Sequence, residues 1–460
     1  MTRSILVGGE MLNWSDLHPV DARPAAAGPA AAALLTAALH PGDSVLIAGP
    51  HALDLITDVA GRVTSVDVLV RSAPDAEEIA ELLVDTKGDV YCGSLDRFRG
   101  DERYDVIVAL DGLERLVGPD TAKLTWADAL ARLQERLAPS ARLLLGATNS
   151  FGVERLIQPG ITAALPRDED WARDVADSAP AGLKPLQAAL RDAGLSQTYA
   201  VFPSLVEAQV ALEAVEGLAA VTAARTVAAR NAGTTLMDPY RLVLDAAEAG
   251  LAIELAPAWY FVTGDLPAVL PADAVPAGPG VLLEEHLLAA LRVDDQATVR
   301  RIIPEYVAWL DAGGNGSPDN VILDGTSYRL FGEGQDLDVI AHLARFVRRS
   351  MESGSRQPWP AGGDVHAMTA RLASMAGITV PEELPASAEL VRPLGSAEQL
   401  TTVARLSEEL AAASARAILF EGTVSGIRRS LPYRVGHAVL NPARVIRRRV
   451  RRVLRKVRRR

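Results

Sequence analysis

The chain has 460 residues, 49% of them apolar, a single cysteine and a formal net charge of −11. That length exceeds one ordinary hydrophobic core, so two or three domains are expected, and the apolar content excludes wholesale disorder. The lone Cys92 excludes a disulfide framework and any CxxC metal site, and it suits a reducing compartment.

The charge is unevenly placed. Residues 444–460 hold 11 Arg or Lys and no acid, leaving 36 basic against 58 acidic residues elsewhere, a balance of −22. An acidic body of this kind is not that of a nucleic-acid binder, and the basic tail reads as a separate device. The N-terminus MTRSILVGGEMLNW lacks a signal-peptide core, and Gly28–Leu39 is too short and alanine-rich to span a bilayer. A cytoplasmic location is expected.

In chain order, Val45–Ala48 is an apolar run suited to a strand buried on both faces of a parallel sheet. Gly49 and Pro50 follow as a turn that can aim backbone N–H groups at a ligand from a helix N-terminus. Leu53, Leu55, Ile56 and Val59 give that helix its apolar face, and a second strand follows with Asp67 in it. Ser72–Asp75 starts a helix; Asp89–Cys92, Asp105–Leu110 and Arg142–Ala147 read as further strands. Thr125 and Asp128 form a capping box before Leu130, Leu133 and Leu137, and Gln197–Phe202 is one more strand. Strands and helices alternating in this way predict an α/β fold with a parallel-rich sheet and right-handed crossovers.

The segments VLIAGPH, VTSVDV, GSLDRF, RYDVIVALDGLERL and LAPSARLLLGATN together resemble the class I S-adenosylmethionine-dependent methyltransferases. The resemblance covers residues ~30–205, and NSFGVERL resembles a subgroup found with cell-surface glycan and glycosyltransferase proteins. It implies a Rossmann-like domain with S-adenosyl-L-methionine as cofactor and a small-molecule or glycan acceptor. By resemblance, Gly49 and Pro50 form the cofactor turn, Asp67 takes the ribose hydroxyls, and Ser94 or Asp96 reads the adenine. Asp111, with Glu114 a turn later, falls where substrate-contacting or catalytic groups lie. His51 is the one histidine near the expected pocket rim. Methyl transfer needs an in-line nucleophile and a base to take its proton, for which Asp111 and Glu114 are the candidates. No metal is expected.

The chain also departs from the family. Ile47 stands where an acid holds the cofactor ammonium, and His51 and Leu53 replace two glycines. Each candidate has a plainer reading: Asp67 as a turn or cap residue, His51 as a helix start, Asp111 as a turn acid before Gly112. A non-catalytic accessory protein of a surface-glycan assembly system is therefore the alternative to the enzyme.

Beyond residue 205 a mostly helical α+β domain is expected over 206–385, with a strand at Ala258–Val262 and a hairpin around Asp324-Gly325. The stretch SPDNVILDGTSYRLF faintly resembles small-molecule kinases such as aminoglycoside phosphotransferases, with Asn320 in the metal-binding place, but the base and second metal acid are missing. Val339, Ile340, Leu343, Phe346 and Val347 predict an amphipathic helix with His342 and Arg345 turned outward. Residues 386–460 are expected to be C-terminal helices ending in the amphipathic tail 444–460, which resembles the tails of bacterial surface-polysaccharide glycosyltransferases. Arg444–Arg460 is the candidate for peripheral contact with anionic lipid at the inner face of a membrane.

Overall fold

The computed structural model describes residues 3–19, 23–118, 120–121, 123–157, 173–231, 235–264, 266–352, 364–385 and 396–429. The chain forms two compact units, residues 1–398 and 399–460.

The first unit opens with β1 (Ser4–Gly8), α1 (Pro29–Ala38), β2 (Ser44–Ala48), α2 (Leu53–Arg62), β3 (Ser65–Val70), α3 (Ala73–Leu82), β4 (Val90–Gly93) and β5 (Tyr104–Ala109). It continues with α4 (Trp126–Gln134), β6 (Leu137–Thr148), the short α5 (Val153–Ile157) and α6 (Arg173–Asp177), α7 (Leu183–Leu190) and β7 (Gln197–Phe202). Then come β8 (Val210–Leu212), α8 (Gly217–Arg230), α9 (Pro239–Glu248), β9 (Ala258–Val262) and β10 (Val269–Leu270). These ten strands make one sheet in the order β1-β4-β3-β2-β5-β6-β9-β7-β8-β10. The neighbours from β1 to β6 pair in parallel, and β9 runs antiparallel between β6 and β7. This is the α/β, methyltransferase-like Rossmann architecture expected from the sequence.

The period-two alternation of side chains along a strand splits the core into two layers. Leu46, Ala48, Ile107, Ala109, Leu143 and Leu145 pack on one face with α4, α7, α8 and α9. Val45, Ile47, Val106, Val108 and Leu144 pack on the other with α1, α2 and α3. Helix starts follow local rules: Ser72 Oγ accepts the N–H of Asp75, and Thr125 and Asp128 cap α4 reciprocally.

The boundary expected at residue 205 does not divide this sheet. Ala258–Val262 lies inside it, paired on both sides, and carries Trp259 and Phe261 into one layer and Tyr260 and Val262 into the other. Five consecutive buried residues need cover on both faces, which the sheet interior supplies.

A third cluster is built from β11 (Val281–Leu282), α10 (Leu283–Arg292), α11 (Gln296–Asp311), β12 (Val321–Asp324), β13 (Ser327–Leu330), α12 (Val339–Glu352) and α13 (Val365–Met375). The expected hairpin is present: Asp324 pairs with Ser327 across Gly325, whose φ is +61°. Val321 and Leu323 face this third cluster while Ile322 faces the first layer. Leu282, Ile322 and Phe331 thus share packed surface with the first layer of the large sheet.

Helix α12 forms as expected, but His342 and Arg345 point inward. His342 Nδ1 lies 2.7 Å from the buried Ser317 Oγ, and Arg345 is paired with Asp319 at 2.8 Å. The apolar stripe alone does not show that a second face is buried against hydrogen-bonding and charged partners. Asp319 is further held by Arg349 at 3.8 Å, and the Asn320 side-chain amide donates to the Glu333 carbonyl, so both are engaged within the fold. The described part of the second unit belongs to one helix, α14 (Ser396–Arg429). The tail 444–460 lies outside the described residues.

Candidate functional site

In a doubly wound sheet, ligands bind outside the carboxyl ends of the strands where the order reverses. Here that point is β2, flanked by β3 on one side and β5 on the other. Gly49 follows at once with φ +90°, a conformation that needs glycine, and its N–H donates to the Leu69 carbonyl at 2.9 Å. The crevice above Gly49, Arg71 and Asp111 is the place for a ligand.

The chain fills that crevice with its own N-terminal segment. Met11 exchanges backbone hydrogen bonds with Arg71 and Ala73, at 2.8 and 3.0 Å. Ser15 Oγ and the N–H groups of Asp16 and Leu17 donate to the Asp75 carboxylate at the start of α3. Ala26 then pairs with the glycine turn: its N–H donates to the Pro50 carbonyl and its carbonyl accepts from Ala52. The amide of Ala52, at the α2 N-terminus, is thus taken by protein. Met11, Asp16, Ala25 and Ala26 are all buried.

A buried charge network closes the arrangement. Arg71 holds Asp16 through two bonds of 2.8 Å, Nε to Oδ2 and Nη2 to Oδ1, and its Nη1 donates to the Val117 carbonyl at 3.1 Å. The Trp14 indole donates to Asp16 at 3.0 Å and lies 6.0 Å from the Arg71 guanidinium. Arg115 clamps Asp111, lies 3.7 Å from Asp16, and donates to the carbonyls of Arg23 and Pro24 at 2.6 and 2.7 Å. Arg23 reaches the same Asp111 at 2.9 Å. Burial works to raise the Asp16 carboxyl; the bond and charge of Arg71, with Arg115 and Trp14, outweigh it and hold Asp16 below the ordinary carboxylate range.

The expected site residues do not all meet at the crevice. Asp67 is not at the ligand end of β3: it pairs with Leu46 in register, roughly 13 Å along the strand from Arg71. Its carboxylate accepts from the Asp89 N–H and the Tyr104 hydroxyl, both at 2.8 Å. The strand-end position belongs to Arg71, of opposite charge. Asp111 is at the crevice, bound to Arg23 and Arg115. His51 is buried and fully engaged: Nδ1 donates to the Gly49 carbonyl at 3.0 Å and Nε2 accepts the Leu110 N–H at 3.1 Å. Burial holds its pKa below the usual histidine value. It brackets the glycine turn between the Gly49 carbonyl and the Leu110 N–H.

Gly49 and Pro50 sit where they were expected, with Pro50 bonded to Ala26. Ser94 and Asp96 follow β4, hydrogen-bonded to each other, with Gly9 of the N-terminal segment packed against Ser94 and Arg97 3.4 Å from Asp96. Glu114 is half-buried, and burial raises its pKa, opposed by the nearby Arg23. Sequence reading missed Asp16, Arg23, Arg71 and Arg115. The available signal was Arg71 itself, a full charge closing the apolar run Val68–Val70.

Among the described residues, no group of three or more His, Cys, Asp or Glu is placed to hold a metal ion. No described helix is long and apolar enough to cross a membrane.

The fold is thus that of the methyltransferase-like Rossmann proteins, and S-adenosylmethionine is the cofactor of that fold. No protein-family model matches the chain, and no curated protein matches it. Among solved structures it is similar to the N-methyltransferase NodS from Bradyrhizobium japonicum, at 14% identity over 36% of this chain and 79% of that one, with a TM-score of 0.24. It is also similar to a SAM-dependent methyltransferase from Thiobacillus denitrificans in complex with S-adenosyl-L-homocysteine, at 18% identity over 52% of this chain and 89% of that one, TM-score 0.26. A third is coclaurine N-methyltransferase bound to N-methylheliamine and SAH, at 13% identity over 50% and 71%, TM-score 0.27.

The crevice residues of this chain do not fit that cofactor as arranged. Ile47 offers no charge to its ammonium, Arg71 stands at the strand end, and Asp16 occupies the space between the guanidinium groups.

Proposed function

We propose that this chain is a methyltransferase-fold protein whose N-terminal segment takes the cofactor's place, and that it serves as a non-catalytic accessory of a cell-surface glycan assembly system. The observation that carries the first half is the Asp16–Arg71 pair inside the crevice. Admitting a ligand there means withdrawing Asp16 and leaving the buried Arg71 without its carboxylate, while Arg115 stays on Asp111. Breaking a buried pair from one side costs about 3–5 kcal/mol, which weakens binding a hundred- to several-thousand-fold. A sulfonium cofactor brings further positive charge to the same place. The link to glycan assembly rests on the sequence resemblances of NSFGVERL and of the tail.

Calorimetric titration of the full chain with S-adenosylmethionine and S-adenosylhomocysteine tests the reading. No heat is expected at millimolar ligand; micromolar binding overturns it. A second reading, methyl transfer from S-adenosylmethionine to a small-molecule or glycan acceptor, is favoured by the retained Gly49 turn at the switch point. It requires the segment to leave, and it gains the day if cofactor binds while residues 9–27 become protease-sensitive.

The membrane role proposed for Arg444–Arg460 rests on composition. Deleting 444–460 is expected to abolish sedimentation with anionic vesicles and to leave the unfolding transition unchanged. Equal pelleting of both forms removes the proposal.

A further inference from the structure

We infer that α14 pairs with the same helix of a second copy of this chain as a parallel two-stranded coiled coil. The helix is 34 residues long, about 50 Å, and its described side chains from Val403 to Phe420 are exposed. Val403, Leu406, Leu410, Ala413, Ala417 and Phe420 recur at alternating steps of three and four. In the sequence the same steps lead on to Val424 and Ile427. A strict seven-residue repeat keeps one seam facing a partner helix over its whole length. Val403, Leu406, Leu410 and Phe420 are 64%, 52%, 69% and 72% exposed.

Two features select a second copy as the occupant. The first is the residue choice: a β-branched Val403 followed by Leu406 in the two seam positions favours two strands, and Ala413 and Ala417 let the axes approach at the centre. The second is self-complementary charge. Arg416 and Glu421 flank the seam on opposite sides, five residues apart, a spacing that does not bring them together on one helix. In a parallel pair in register, Arg416 of each copy meets Glu421 of the other, so the contact is made twice. Ile418 and Leu419 are exposed off the seam, which makes a lipid surface the competing occupant.

Analytical ultracentrifugation of the full chain at low micromolar concentration is expected to give twice the chain mass, and Leu410→Asp to give the monomer. Arg416→Glu and Glu421→Arg are each expected to weaken self-association several-fold, and an equimolar mixture of the two variants to associate better than either alone. That recovery depends on the opposite chain's charge and is indifferent to a folding defect in one variant. A monomer at every concentration for the unaltered chain overturns the inference, as does a dimer that Leu410→Asp leaves intact. Leu410-dependent binding of a monomer to neutral-lipid vesicles assigns the seam to a bilayer and overturns it too.

Discussion

Arg71 and Asp16 meet through two parallel hydrogen bonds of 2.8 Å, with the Arg71 side chain fully buried. They join the end of β3 to the N-terminal segment, beside the backbone bonds of Met11 and Ala26 and the Asp75 carboxylate. A guanidinium and a carboxylate in this fork geometry are mutually satisfied, and removing one leaves the other buried and uncompensated.

Asp16→Ala is accordingly expected to destabilise the first unit by about 3–5 kcal/mol, measured by denaturant unfolding. The effect has a pH signature. The folded-state pKa of Asp16 is lowered, so its contribution is present above the unfolded carboxylate value and is lost as pH falls through the folded value. The difference between the parent and Asp16→Ala should therefore shrink in acid. A constant difference down to the lowest pH at which the protein folds would contradict the assignment.

His51 gives a response of the same sign nearer neutrality. Its pKa is lowered by burial, so the folded state holds it neutral and the unfolded state takes up the proton first. Stability is expected to fall as pH drops below about 6.5, where the unfolded imidazole charges. His51→Gln should flatten that dependence and cost about 1–3 kcal/mol by disturbing the bonds to Gly49 and Leu110. Proton NMR of the imidazole is the direct check: a titration midpoint at the ordinary histidine value would show that the ring is not buried as described.

Asp67→Ala is expected to leave the response to S-adenosylhomocysteine unchanged. It should still destabilise the fold by about 1–3 kcal/mol, because the Asp89 N–H and Tyr104 hydroxyl lose their shared acceptor. Thermal unfolding with and without ligand separates the two effects. A ligand-induced shift present in the parent and lost in this variant would return Asp67 to a ligand-binding role.

In the third cluster, ATP with Mg²⁺ is expected to produce no thermal shift, since Asn320 is bonded to the Glu333 carbonyl and Asp319 is paired with Arg345 and Arg349. Arg345→Ala should be destabilising by an amount reduced by the remaining Arg349. An ATP-dependent shift abolished by Asn320→Ala would reverse this reading.

Local chemistry was legible from the sequence alone. The apolar runs from Val45 to Ala48 and from Val106 to Ala109 can be satisfied only as strands covered on both faces. Thr125 with Asp128, and Asp324 with Gly325, specify a helix start and a hairpin through bonds and dihedrals that span a few residues. What fills the crevice was not legible, because Asp16 and Arg71 are brought together only when the chain folds back across the strand ends. The same holds for Asp67, whose strand was evident but whose end of the strand depended on register, and for Ala258–Val262, a visible strand whose place between β6 and β7 is a matter of long-range pairing. An amphipathic pattern located α12 but not the polar groups buried on its flank, since a periodicity of apolar residues says nothing of a His342 bonded to Ser317 or an Arg345 paired with Asp319. Segment identity is set by neighbours in the chain; which ion meets which, and whether a pocket is open or filled, is set by neighbours in space.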